Sequence, residues 1–313
     1  MRKILINIFF IGFIHFSFGL TWDEPWQEEI FNKSDYFVLG RVIDANSASV
    51  KIKVLRQFGD KKTEGEIELK GFHLLRVCSQ SDSDKVAFYF QMIDSVYLFL
   101  KKTEIGYCLP TPTSGYAIVT NGKVLSTFRH SYHQAHLGVA NYELCMKYIW
   151  AFYKKLDSDK KPMTEFIDKN LKKKPAGFNG NEINLFFLQH AALEVLYHSK
   201  STADLQMILP FAYSNNNHLV ISAVQCLGNY DSDESKKVLL KIISDPAKDN
   251  FVKSLAIECI RKIKPKEYKN QLIEILKSAN DSSVGFGGSL MDPRVCTSLP
   301  SVKESLEELI SEL

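Results

Sequence analysis

Three of the chain's eight histidines fall in one short segment, Phe128-Arg129-His130-Ser131-Tyr132-His133-Gln134-Ala135-His136. The spacing is H-x2-H-x2-H. On a helix, His130 and His133 are i,i+3 neighbours, as are His133 and His136, while the outer two diverge by roughly 120° of turn. Two of them can bind one metal from a helix, and a third needs an irregular backbone. Neutral imidazoles suit Zn²⁺ or Cu²⁺, and a catalytic site needs an open coordination position. There is no H-E-x-x-H motif, and no nearby glutamate to act as base. The alternative is a junction between two domains whose rings pack and hydrogen-bond in the interface.

Other reactive types give weaker signals. Ser114 sits in Thr111-Pro112-Thr113-Ser114-Gly115, a turn composition, and neither it nor Ser131 lies in a G-x-S-x-G elbow. Gly285-Phe286-Gly287-Gly288-Ser289 lacks the preceding strand and the Gly-Lys-Ser/Thr of a phosphate loop, so it reads as a flexible loop. Lys160-Lys161 and Lys172-Lys173-Lys174 could face acidic partners or lipid headgroups. Asp157, Asp159, Glu165 and Asp168 interleave with them, which favours a solvated helical face. Trp22 and Trp26 are i,i+4 neighbours, set among Asp23, Glu24, Glu28 and Glu29, and could pin the start of the chain onto the first domain. His190 and His198 lie on or near an apolar helical face and read as satisfied core histidines. On these grounds no residue is assigned as catalytic, cofactor-binding or metal-ligating, and no cofactor is expected.

The elements that must hold these residues follow from composition and periodicity. The chain has 313 residues, 45 % hydrophobic and 24 % charged. That is globular composition and about two domains' worth of chain; it excludes a wholly disordered chain, a collagen and a multi-pass membrane protein. Lys+Arg total 39 against 36 Asp+Glu, a net charge of +3 that gives no electrostatic case for nucleic acid.

Arg2 and Lys3 precede an apolar run from Ile4 to Phe16, and Ser17-Phe18-Gly19 supplies small residues at a cleavage site. This is the layout of a secretory signal peptide, so an exported protein, periplasmic or secreted, is expected. The run is shorter than the ~20 residues of a membrane-spanning helix, and no later segment is apolar enough to span a bilayer. Removing Arg2 and Lys3 lowers the net charge from +3 to +1. Export permits disulfides among Cys78, Cys108, Cys145, Cys226, Cys259 and Cys296. None forms C-x-x-C, Cys78–Cys108 is the favoured pair, and some of the others read as buried small hydrophobes.

Residues 36–44 are rich in β-branched and aromatic types. Residues 49–58 alternate, with Val50, Ile52 and Val54 on one side and Lys51 and Lys53 on the other, as in a half-buried strand. Residues 64–70, 86–91 and 95–101 continue the series, and Asn121-Gly122 joins Ile118-Val119 to Val124-Leu125 as a two-residue hairpin turn. Short strands at this spacing predict a small closed or partly closed barrel. The strand Val38-Leu39-Gly40-Arg41-Val42, the strand Val50-Lys51-Ile52-Lys53-Val54 and Gly65 before the next strand resemble the opening of the netrin-like, tissue-inhibitor-of-metalloproteases-like barrel, an oligonucleotide-fold relative, over about 34–127. The resemblance implies that fold. It implies protease inhibition only with an N-terminal cysteine, and the mature chain begins near Leu20-Thr21-Trp22.

From Val139 the apolar period becomes helical: Tyr142, Cys145, Met146, Ile149 and Trp150 share a face. Pro162 sits as a first-turn proline, Pro175-Ala176-Gly177 ends that helix, and Asn181 can cap the next, Glu182–Ser199. A 33-residue offset places Ala223 on Ala256, Cys226 on Cys259, Leu227 on Ile260, Glu234 on Glu267, Lys236 on Lys269, Leu239 on Leu272 and Ile243 on Leu276. An offset of 31 brings Leu193, Leu196 and Leu209 onto the same pattern. These units, helix-turn-helix over about 181–280, resemble HEAT-type repeats, with hairpins at 181–214, 217–244 and 248–278. Ser301–Leu313 reads as an amphipathic helix covering the last repeat, and 282–300 as an irregular insertion.

The expected fold is therefore α+β: a small N-terminal β-barrel followed by a C-terminal α-solenoid of HEAT-like helical hairpins. The expected divisions are a signal peptide at 1–19, a segment at 20–33, the barrel at 34–127, a junction at 128–138 and the helical domain at 139–313. The expected function is an exported, non-enzymatic binding or scaffold protein whose helical-repeat surface takes a protein or peptide partner. No nucleic acid partner is expected, and no integral membrane segment after signal cleavage. The alternatives are a metal-binding protein or metal-dependent hydrolase using His130, His133 and His136, and a protease inhibitor acting through the barrel.

Overall fold

A computed structural model describes residues 27–313 apart from 47–48, 71–94, 111–114, 128–133, 283 and 287–296. The chain is α+β, an N-terminal β-barrel with extra strands followed by helices. A short helix α1 (Gln27–Lys33) precedes eight strands: β1 (Tyr36–Ala45), β2 (Ser49–Phe58), β3 (Glu66–Lys70), β4 (Ser95–Thr103), β5 (Gly106–Cys108), β6 (Tyr116–Thr120), β7 (Lys123–Thr127) and β8 (Gln134–Gly138). The five strands β1-β2-β3-β5-β4 close on themselves through an antiparallel β1–β4 pairing from Tyr36↔Leu100 to Arg41↔Ser95. One parallel bridge, Leu69↔Tyr107, joins β3 to β5. From the first half of β4 the sheet continues through β6, β7 and β8.

The alternation expected of residues 49–58 is present. Val50 and Ile52 are buried and Lys51 and Lys53 exposed, so one face of β2 supplies the barrel interior with Val38, Val42, Ile67, Leu69, Val96, Leu98 and Leu100. β1 and β4 behave differently. Phe37 through Gly40 and Val96 through Leu100 are buried without a break, because these strands are covered on both faces. A bulge between Leu39 and Gly40 re-aims β1. Gly40 is required there: a Cβ at that position would lie 2.2 Å from Ile52 Cγ2. Asn121 and Gly122 both take positive φ, 51° and 71°, as the expected two-residue turn demands.

The other face of β1 and β4 belongs to a second core. Phe37, Leu39, Phe58, Tyr97, Phe99, Val124 and Leu137 pack with Phe31 of α1 and with Tyr142, Ile149 and Trp150 of α2 (Val139–Lys154). Phe37 stacks on Phe99 with ring centroids 4.5 Å apart, and Trp150 lies 5.9 Å from each. Arg56 of β2 and Tyr97 both donate to the Glu143 carboxylate of α2. Aromatic pairs of this kind contribute about 0.5–1.5 kcal/mol each beyond their burial. A half-exposed ion pair contributes about 0–1 kcal/mol, so the rings, more than Arg56, hold the barrel to the helices.

The remaining helices are α3 (Lys161–Leu171), α4 (Ile183–His198), α5 (Leu205–Ala212), α6 (Asn217–Leu227), α7 (Asp233–Ser244), α8 (Asn250–Lys262), α9 (Lys269–Leu276), which follows a 3-10 turn at Lys266–Tyr268, and α10 (Val302–Glu312). Helices α2, α4, α6, α8 and α10 pack each on the next; α3, α5, α7 and α9 each lean on the following member of that row. Four of the pairs in the 33-residue offset share burial, whereas Ile243 is buried and Leu276 only partly so. Ala223 and Ala256, Cys226 and Cys259, Leu227 and Ile260, and Leu239 and Leu272 are all buried. Cys226 Sγ lies 3.1 Å from the Leu193 carbonyl, which it can reach as donor, one repeat back. Ser232, Asp249 and Ser301 cap α7, α8 and α10, the last with a full capping box to Glu304.

Two expectations are corrected. Asn181 does not cap the helix that follows it: α4 begins after Glu182, which offers no side-chain cap, and Asn179 Oδ1 accepts from the Asn181 and Glu182 amides instead. The stretch 282–300 is not wholly irregular, since β9 (Val284–Phe286) and β10 (Thr297–Leu299) pair as an antiparallel ribbon. Within the expected junction, residues 134–138 form β8, paired with β7 from Lys123↔Gly138 to Thr127↔Gln134. No helix among the described residues is long and apolar enough to cross a membrane.

Candidate binding groove

Of the histidine cluster, His136 lies on β8, exposed, its ring stacked on Phe187 of α4 at 5.6 Å. His130, His133 and Ser131 lie outside the described residues, as do Ser114, Trp22, Trp26, Cys78 and Cys296. Among the described residues no group of three His, Cys, Asp or Glu side chains converges to hold a metal ion. Cys108, Cys145, Cys226 and Cys259 are free thiols. Burial pushes the thiols of Cys145 and Cys226 well up and that of Cys259 up to about 11, so all three stay protonated and inert near neutral pH.

His190 and His198 are both buried, and they flank Glu194 on one face of α4. The carboxylate lies 3.9 Å from His190 Nε2 and 3.7 Å from His198 Nε2. Ser222 Oγ of α6 donates to Glu194 Oε1 at 3.0 Å, and Tyr153 Oη of α2 lies 3.0 Å from His198 Nδ1. The serine hydroxyl therefore faces a carboxylate, not an imidazole. With all four polar groups of α4 and α6 at most 2 % exposed, this network ties three helices together and offers no place for a substrate.

The concave surface lies elsewhere, where helices end. A groove of about 740 Å³ runs between the 174–178 loop after α3 and the 213–218 turn between α5 and α6. The loop forms because Pro175 cannot continue α3 and Gly177 follows it. It is held from beneath by Gln189 of α4, whose Oε1 accepts from the Ala176 amide at 2.8 Å and whose Nε2 donates to the Lys174 carbonyl at 2.8 Å. The Gly177 amide donates to Glu182 Oε2 at 2.9 Å. Asn216 caps α6 and also donates from Nδ2 to the Ala176 carbonyl at 3.1 Å, joining the two walls. These side-chain bonds to main chain fix the groove in shape before anything enters it.

Two large rings border this fixed groove in solvent. Phe178 is 53 % exposed and Tyr213 47 % exposed. Phe178 rests on Phe186 and His218, with centroids 5.0 Å and 5.6 Å away. Lys241 Nζ of α7 sits 5.0 Å over the Tyr213 ring. Exposed Asn215 and Asn217 bring amides that can both donate and accept. Such a surface offers ring faces for stacking and amides for hydrogen bonding. Sequence reading stopped at Pro175-Ala176-Gly177 as a helix terminator. The Asn215-Asn216-Asn217 run between two helices was the available signal. No family model, curated protein or solved structure matches this chain.

Proposed function

We propose that this chain is an exported, non-enzymatic binding module that holds an extended protein or peptide segment in the groove bordered by Phe178 and Tyr213. In this reading the helical half is a solenoid of HEAT-type hairpins, and the barrel is a netrin-like support for its first helices. The strand order β1-β2-β3-β5-β4 with closure onto β1 supports the barrel assignment. The 33-residue register and the row α2-α4-α6-α8-α10 support the repeat assignment. The observation that carries the function is the pair of exposed rings on a groove whose walls are already bonded in place. Ordered rings in a preformed cleft bind at low entropic cost. Export rests on the basic start, apolar run and small-residue site within residues 1–19.

A displayed random-peptide library selected on the purified chain tests this reading. Enriched peptides that bind the wild type and lose binding to Phe178→Ala/Tyr213→Ala support it. No enrichment, or equal binding to the double variant, refutes it.

A further inference from the structure

The groove has a charge as well as a shape. Lys174 lines it, and Lys172 and Lys173 lead into it. Lys241 stands over the Tyr213 ring at the opposite wall. None of the described residues lining the groove carries a carboxylate. Two nearby acids along the chain, Glu182 and Asp168, are held in hydrogen bonds. Glu182 accepts from the Gly177 amide and from Asn179 Nδ2, and Asp168 pairs with Lys172 at 2.6 Å. Lys236, by contrast, bridges Asp231 and Glu267. The other concave surface described, along β3 and β5 of the barrel, is balanced: Glu64, Glu66 and Glu68 face Lys51, Lys70 and Lys102. The helical groove thus pairs lysines and two large rings with no carboxylate among its lining residues, the nearby Glu182 being bonded to the Gly177 amide.

We propose that the occupant is an acidic peptide segment carrying aromatic or aliphatic side chains between its carboxylates. This rests on the peptide-binding reading above. The apolar side chains lie against Phe178 and Tyr213, the carboxylates meet Lys174 and Lys241, and the exposed asparagines bond the backbone. Charge complementarity sets preference and association rate more than total affinity. The apolar contacts set how tightly the complex holds.

The test uses three fluorescein-labelled peptides of one length. The first alternates glutamate with leucine and phenylalanine, the second has lysine for every glutamate, and the third has glutamine. Fluorescence anisotropy against the full chain is expected to give binding for the first at least about tenfold tighter than for the other two, weakening as sodium chloride is added. Lys174→Glu with Lys241→Glu is expected to abolish that preference while the glutamine peptide binds as before, which also shows that the variant is folded. Equal affinity for all three peptides overturns the charge assignment and leaves the peptide groove standing. No binding by any of them overturns both. Binding to phosphatidylserine vesicles that the acidic peptide does not displace overturns the proposal in favour of a lipid surface.

Discussion

The two cores of the molecule are built by opposite rules. The barrel interior is apolar from end to end, drawn from Val, Ile and Leu with Tyr107 at its edge. The helical core encloses Asn170, Gln189, His190, Glu194, His198, Ser222 and Gln225 among its hydrophobes. Eleven of the thirteen buried polar side chains among the described residues lie in the helical half, so the contrast needs a structural cause. A closed sheet satisfies its backbone between strands, and the ladder sets register. A helix satisfies its backbone internally, and nothing in that ladder fixes how one helix sits on the next. Polar bridges such as Ser222–Glu194, Gln189–Ala176 and Asn229–Leu196 supply that register. The price is a set of buried groups that tolerate no loss of a partner.

The sharpest way to break this contrast is alkaline titration. Burial raises the phenols of Tyr97, Tyr142, Tyr153, Tyr197 and Tyr230 above their ordinary value of 10.0, with Glu143 adding to the effect at Tyr97. Their contribution to stability is therefore full below pH 10.0 and falls as pH rises through the folded values, because only the unfolded phenols ionise near 10.0. The phenolate absorbance of these five is expected to appear only together with loss of helical circular dichroism. Normal tyrosine titration in a chain that stays folded would remove this account of the helical core.

Next in size is Glu194→Ala. It leaves His190, His198 and Ser222 facing an empty site, and the expected loss is about 3–5 kcal/mol in urea denaturation. A loss under about 1 kcal/mol would show that the polar network does not fix helix register. In the barrel, Gly40→Ala drives a methyl into Ile52 and is expected to cost about 1–3 kcal/mol. Combining it with Ile52→Ala should cost less than the two single changes together, since the cavity accepts the methyl. Strict additivity would mean that β1 and β2 do not approach as described. The smallest effect is expected for Arg56→Met, about 0–1 kcal/mol and weaker in high salt, because the ring cluster around Phe37 and Trp150 remains. A loss above about 2 kcal/mol would make the ion pair, not the rings, the principal link between the halves.

Period-2 alternation at 49–58, the Asn121-Gly122 turn, first-turn Pro162 and the helical period from Val139 were legible because each is a local or periodic rule. Three features were not. β8 was hidden because Gln134-Ala135-His136 is a poor strand sequence that forms by pairing with β7. The cap at Asn179 was missed because Asn181 is nearer the apolar run, whereas turn geometry decides which amides are reached. The groove was not legible from spacing: Phe178 and Tyr213 are 35 residues apart in the sequence, and Gln189 and Asn216 bring their loops together only once the helices stack.

The covered outer face of β1 and β4 has a consequence for how the molecule is made. During synthesis the barrel strands precede α2 and α4, and until these helices arrive Phe37, Phe58, Tyr97 and Phe99 have only Phe31 of α1 to cover them from the helical side. A gene fragment ending at Gly138 would encode an aggregation-prone product, and a fragment starting at Val139 would leave Trp150 and Tyr142 uncovered. The halves differ in architecture yet each covers the other's apolar face, so neither is expected to stay soluble when made alone.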